Sequence, residues 1–270
     1  MRIDILTLFP EMFAGYLEAS ILGRAQSAEL LVVNVINIRD YATDKHRITD
    51  EPPFGGGGGM VLKPGPLFRA VEELVGQSGE SKSPDLRKTE GETIVRATWP
   101  IILLTPQGRL FNHEVARELA SLQRLTLICG RYEGVDERVR QCLVTDEISI
   151  GDYVLTGGEI AAMVVVDAVV RLIPGALGAE GAAASDSHAT GLLEGPHYTR
   201  PASFRGLGVP EILRSGHEKN IRRWQREQAL RRTWQRRPEL LISAVLDEED
   251  RRFLASLAEE RVRQIRQDSP

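Results

Sequence analysis

Short apolar runs recur along the first two-thirds of the chain, and most are followed by a stretch with helical spacing. Ile3-Asp4-Ile5-Leu6-Thr7-Leu8 predicts a first strand. Pro10 then opens a helix at a position where proline is tolerated. The β-branched run from Leu30 to Ile36 predicts a second strand. Pro64 and Pro66 open a helix reaching about Val75, and Ile101-Ile102-Leu103-Leu104 predicts a buried strand. Asn112 is placed to cap a helix running through Leu122. Leu125 to Cys129 predicts the next strand and Val135 to Cys142 a helix. Asp146-Glu147-Ile148-Ser149 leads into a loop, after which Glu159 to Ile173 is helical until Pro174 and Gly175 stop it. Strands alternating with helices imply an α/β fold, a mainly parallel sheet covered on both faces.

Other stretches carry neither period. A polar loop from Arg39 to Thr49 runs through Asp50-Glu51-Pro52-Pro53-Phe54 into Gly55 to Gly59, and long loops in compact domains tend to be functional or disordered. The mixed polar segment from Gly76 to Ala97 reads as a surface insertion and is expected to be mobile. Gly178 to Ala189 is Gly, Ala and Ser with Glu180, Asp186 and His188, a flexible linker by composition. Beyond it the pattern predicts helices without strands, over Pro210–Leu213, His217–Gln235, Pro238–Leu246 and Asp247–Arg266. The expected layout is an α/β domain over 1–177 with an insertion over 76–98, a linker over 178–189 and a small all-α domain over 190–270.

In open parallel sheets, ligands sit beyond the C-terminal ends of the strands. Three loops fall there: Leu104-Thr105-Pro106-Gln107-Gly108, Cys129-Gly130-Arg131-Tyr132-Glu133-Gly134, and Ser149-Ile150-Gly151-Asp152-Tyr153-Val154-Leu155-Thr156-Gly157-Gly158-Glu159. Glycine lets a backbone approach a ligand closely, so such loops can wrap a flat polar molecule with main-chain N–H and C=O groups. Each alone could be a tight turn, but their common placement points to one shared pocket. The glycine run lacks the Lys-Ser/Thr ending of a phosphate loop, and no GxGxxG follows a strand.

Composition bounds the partners. The net charge is −4 over 270 residues, yet Pro196 to Pro238 holds eleven Lys or Arg against three acids. Such a localised basic segment is either a solvated helix face or the footprint of a phosphate-backbone binder, and nucleic acid is the favoured reading. The apolar run from Ala161 to Ile173 is broken by Asp167 and Arg171, so it predicts a buried helix rather than a membrane span. Met1-Arg2-Ile3-Asp4 lacks the pattern of a secretory leader. Cys129 and Cys142 form no CxxC pattern, which fits a reduced, cytoplasmic setting and argues against a zinc site. The histidines show no metal spacing, so no metal site is expected from the residues.

The three loops, with Leu8-Phe9-Pro10-Glu11-Met12-Phe13, the run Gly55 to Gly59 and Pro196-His197-Tyr198-Thr199-Arg200-Pro201, resemble the bacterial tRNA (guanine-N1)-methyltransferase family of the knotted SPOUT superfamily. The resemblance runs nearly end to end. It implies a deep trefoil knot in the sheet domain, S-adenosylmethionine as methyl donor, guanosine 37 of tRNA as acceptor, and a homodimer with shared sites. It also implies a need for magnesium, which no ligand cluster here announces. By resemblance the catalytic pair is Arg171 and Asp186. The donor would be bounded by Leu104, Thr105, Pro106, Gly130, Tyr132, Glu133, Ser149, Ile150, Gly151, Asp152, Tyr153, Val154, Leu155, Gly157 and Gly158, with Glu133 alternatively facing the guanine. The tRNA would be met by His46, Asp50, Gly59, Arg200, Arg222 and Arg226. Without the resemblance, Arg171 reads as an i,i+4 partner of Asp167 and Asp186 as an exposed linker residue. This chain departs from the family pattern at Ala161 and Gly58, where proline is usual. Two rivals stand beside this reading: a related knotted methyltransferase acting at another RNA position, and a non-catalytic RNA-binding protein whose glycine loops are only turns.

Overall fold

The alternating pattern becomes strands β1 (Arg2–Thr7) and β2 (Val32–Asn37), then short β3 (Asp50–Glu51), β4 (Val61–Leu62), β5 (Arg87–Thr89) and β6 (Glu92–Ile94). The longer β7 (Ile101–Leu110), β8 (Arg124–Cys129) and β9 (Asp146–Ser149) follow. The structure is a computed structural model describing residues 1–78, 87–89, 92–94, 96–178 and 181–268. The chain divides after Gly178 into two compact units. In the first, five strands pair in parallel in the order β2-β1-β8-β7-β9. Helices α1 (Ala14–Glu18), α2 (Ser20–Ser27), α3 (Pro64–Gln77), α4 (His113–Ala120), α5 (Glu137–Cys142) and α6 (Glu159–Val170) accompany them.

The two faces follow from the period of two along each strand. Ile3, Ile5, Ile102, Leu104, Leu125 and Leu127 face a core completed by Leu22 of α2, Leu119 of α4 and Val165 of α6. Leu6, Ile101, Leu103 and Ile128 face the opposite core, filled by Leu67, Val71 and Leu74 of α3 and Val139 of α5. Asp4 breaks the apolar pattern, and it is fully buried. It accepts hydrogen bonds from Arg124 at 2.9 Å, Arg2 at 3.0 Å and Asn34 at 2.8 Å. The charge is tolerated because its partners surround it.

Several boundaries differ from the expectation. Pro10 opens a 3-10 turn, Pro10–Phe13, before α1. Asn112 does cap α4, accepting from the Val115 N–H at 3.0 Å, but the helix ends at Ala120. Of the expected mobile insertion, residues 79–86, 90–91 and 95 lie outside the described residues, and β5 and β6 pair antiparallel between them.

The second unit carries α7 (Glu218–Arg236) and α8 (Glu248–Asp268). It is not wholly helical, which corrects the all-α expectation. A two-stranded hairpin, β10 (Ser203–Phe204) and β11 (Leu207–Gly208), precedes α7. Its turn places Arg205 at φ 52° and Gly206 at φ 81°, and positive φ at both central residues suits a two-residue hairpin loop. Strands of two residues are too short to show a period. The expected helices at Pro210 and Pro238 are 3-10 turns, Glu211–Arg214 and Pro238–Ile242. From residue 181 the expected linker belongs to this unit: His188 N–H donates to the Leu192 carbonyl at 2.8 Å, and Leu192 is buried. Leu193 N–H in turn donates to the Thr233 hydroxyl on α7 at 2.9 Å.

Candidate functional site

The three loops meet in one cleft of ≈ 400 Å³ beyond the ends of β8 and β9 and beside the middle of β7. The first is a bulge within a strand rather than a loop after one. β7 pairs with β9 through Leu104↔Ile148, swings outward over Thr105 to Gly108, and re-pairs at Arg109↔Ile148 and Leu110↔Ser149. Bulges re-aim chain beside functional sites, and the strand expected to stop at Leu104 therefore continues.

The second loop follows β8. Tyr132 sits at φ 58°, an unfavourable conformation for a bulky residue that surrounding structure must hold. The hold comes from β4 and its neighbours. Glu133 N–H donates to the Met60 carbonyl and Leu62 N–H to the Gly134 carbonyl, each at 3.0 Å. A Cβ on Gly59 would lie 2.5 Å from Glu133 Oε1. The glycine run thus lies directly against a cleft-lining carboxylate.

The third loop returns from β9 to the end of β8. Its Gly158 N–H donates to the Gly130 carbonyl at 2.8 Å, and Gly157 bridges Arg131. A Cβ on Gly158 would lie 2.7 Å from the Cys129 Cα and 3.0 Å from the Gly130 nitrogen. Because both atoms are backbone, neither can rotate away. Gly158→Ala is expected to force the two loops apart, costing about 1–3 kcal/mol as an overpacked contact. A clear fall in the thermal unfolding midpoint would show it, and a melt superimposable on wild type would count against the close approach.

A buried charge network anchors this crossing. Glu159, 1% exposed at the start of α6, accepts from Thr7 Oγ1 at 2.8 Å and from Arg131 Nε at 3.2 Å. The Arg131 guanidinium also lies over the Phe9 ring, 4.2 Å from its centroid. The N-terminal motif Leu8 to Phe13 thereby steadies the second and third loops. Burial, and then the Glu159 charge, push the Cys129 thiol well above its ordinary pKa despite Arg131, so it is an inert core group.

All the expected donor-facing residues line the cleft except Asp152. Asp152 is exposed, beside Tyr153, whose hydroxyl donates to the Ile150 carbonyl at 3.2 Å. Sequence reasoning passed over Gln107, Arg131 and Arg140, which also line the cleft. Arg140 is paired with Glu147 of β9. Nothing in the spacing announces that pair.

The remaining candidates fall elsewhere. His46 is exposed in a turn formed on the Asp44 carboxylate, and Asp50 lies in β3 paired with Leu62. Neither lines the cleft. Arg171 ends α6 in the first unit, half-buried, with its N–H on the Asp167 carbonyl at 3.2 Å. Asp167 also faces Tyr16: burial, then that carboxylate, push the Tyr16 phenol up to about 12. Asp186 is half-buried in the second unit, within the turn leading to Leu192.

Arg200 and Arg222 are exposed, whereas Arg226 is half-buried and engaged within the unit. It donates to the Asp250 carboxylate at 2.8 Å and to the Val245 carbonyl at 2.8 Å, and Asp250 is 1% exposed. Among the described residues no group of three or more His, Cys, Asp or Glu could hold a metal ion, and no helix is long and apolar enough to cross a membrane.

A parallel α/β unit whose loops enclose a cleft at the strand C-termini belongs to the class of proteins that hold a small polar molecule there. The family described as tRNA (Guanine-1)-methyltransferase TrmD matches residues 1–243. Proteins named tRNA (guanine-N(1)-)-methyltransferase are similar to nearly the whole chain. That of Moorella thermoacetica is 57% identical over 258 residues, covering 96% of this chain and 97% of its own. That of Brevibacillus brevis is 55% identical over 261 residues, covering 97% and 100%. That of Bacillus cereus strain Q1 is 51% identical over 259 residues, covering 96% and 99%. The chain belongs to the tRNA (guanine-1)-methyltransferase TrmD family.

Proposed function

We infer that the protein transfers the methyl group of S-adenosyl-L-methionine to N1 of guanosine 37 in tRNA. The observation that carries this reading is the convergence of three loops on one cleft in a chain of this family. Its ≈ 400 Å³ falls in the range of small-molecule sites, about 300–1,000 Å³. The lining suits a nucleoside joined to an amino acid: Leu104, Ile150, Val154 and Leu155 offer apolar walls, and glycines leave main-chain groups accessible.

When bound, the donor supplies an activated methyl on a sulfonium. The chain must then do two things at the acceptor: remove the N1 proton and hold the charge that develops on O6. Asp186 takes the first role and Arg171 the second, with Glu133 near the acceptor base. Asp186 comes from the segment beside the unit boundary, so substrate binding would assemble the site. Gly59, against Glu133, supports a role for the glycine run at the acceptor side, with His46 and Asp50 on the same stretch. Arg200 and Arg222 meet the tRNA backbone.

A homodimer with shared sites accords with Ile160 and Val164, which are 48% and 42% exposed on the largely buried α6, since exposed apolar faces commonly mark interfaces. The trefoil knot of the SPOUT superfamily accords with the third loop running from the edge strand β9 back to Gly130 at the end of β8. A tRNA acceptor accords with a cytoplasmic setting. A magnesium requirement rests on family resemblance alone, and no step uses it.

The test is methyl transfer to unmodified tRNA carrying guanosine or adenosine at position 37. Label is expected on N1 of the guanosine transcript and absent from the adenosine one. Label on ribose, or on both transcripts, would sink the assignment, and absence of donor binding to the folded protein would favour a non-catalytic RNA binder.

A further inference from the structure

Three of the six arginines of α7 are committed inside the second unit. Arg223 and Arg226 hold Asp250, and Arg232 donates to the Glu194 and Gly195 carbonyls at 2.9 and 3.0 Å. A second stretch of exposed basic chemistry lies earlier. Every residue from His197 to Gly208 is exposed, and no acid occurs from His197 to Pro210. This stretch presents Tyr198 at 48%, Phe204 at 59% and Leu207 at 76% exposure, interleaved with Arg200 and Arg205. The Arg205 guanidinium stands 5.3 Å from the Phe204 ring centroid.

A solvated loop does not need two aromatics and a leucine in water. Base faces stack on aromatic rings and on arginine planes, while phosphates want a positive surface free of acids. Both conditions are met on one hairpin. Its turn is set by Gly206 at φ 81°, and a Cβ at that glycine would meet no neighbour within 4 Å, so the tip projects into open space. Resting on the tRNA reading above, we propose that the β10–β11 hairpin is a stacking platform for unpaired tRNA bases, with Phe204 as the ring and Arg205 and Arg200 as phosphate contacts. It is an RNA-binding element separate from the α7 helix.

The experiment uses the full chain and an unmodified tRNA transcript. Phe204→Ala with Arg205→Ala is expected to weaken tRNA binding about ten- to hundredfold and to flatten its salt dependence by about one charge. Donor affinity, unfolding midpoint and oligomeric state should match wild type. In parallel, Phe204→Trp should bind tRNA normally and add a fluorescence signal that tRNA quenches. Binding within twofold of wild type for the double variant, or a tryptophan at 204 that tRNA leaves unchanged, would overturn the proposal. So would loss of the dimer in the double variant, which would make the face a protein contact. If wild type methylates guanosine 37 while the hairpin variants match it, the hairpin fails and the functional reading stands. If wild type binds tRNA through the hairpin yet transfers no methyl group, the reverse holds.

Discussion

Asp186→Asn is expected to slow methyl transfer by on the order of 10²–10⁴-fold while affinity for S-adenosylmethionine stays nearly unchanged. The asparagine keeps the shape and one carbonyl oxygen but cannot accept the N1 proton. The cleft is lined wholly by residues of the first unit, whereas Asp186 belongs to the second. Binding and chemistry are therefore separable in one variant. Calorimetry with the donor and single-turnover transfer to tRNA measure the two halves. An unchanged rate would remove Asp186 from the role of base, and a lost donor affinity would mean that the substitution acts through folding.

Arg226→Glu should unfold the second unit rather than merely weaken RNA binding. Asp250 is 1% exposed and is held by Arg226 at 2.8 Å and Arg223 at 3.2 Å. Placing a carboxylate beside it leaves a buried charge facing a like charge, a loss on the order of 3–5 kcal/mol. Arg222→Glu is the control. Its side chain is 74% exposed, with only a 3.7 Å contact to Glu218, so it should melt within about 0.5 kcal/mol of wild type and show only a salt-dependent loss of tRNA affinity.

The same cluster gives a pH signature. Burial alone would raise the Asp250 carboxyl, but the Arg226 hydrogen bond and charge, the Asp247 backbone and Arg223 outweigh it, and its pKa falls below the ordinary 3.8. A carboxyl depressed on folding contributes stability that is present above its unfolded value and lost as pH falls through the folded one. The second unit should therefore weaken in acid, below about pH 4. Arg226→Glu should lack that step. If chemical denaturation found Arg226→Glu as stable as wild type at neutral pH, the cluster would not be holding the unit.

The sequence by itself determined the order of the five main-sheet strands in the first unit but not the short β3 to β6, because burying a sheet on both faces demands apolar runs that local composition displays, as in Ile101 to Leu104 and Leu125 to Cys129. It also determined where the cleft-forming loops lie, since glycine is needed where backbones approach, as at Gly158 against Cys129. Tertiary structure decided what each polar side chain is free to do. Arg226 and Arg222 look alike in a basic run, yet one is bound to Asp250 across 24 residues and the other faces water. Likewise Arg131 reads as a loop arginine until Glu159 and Phe9 close around it. Charge pairing depends on distance in space, and the linear pattern records only burial along each element.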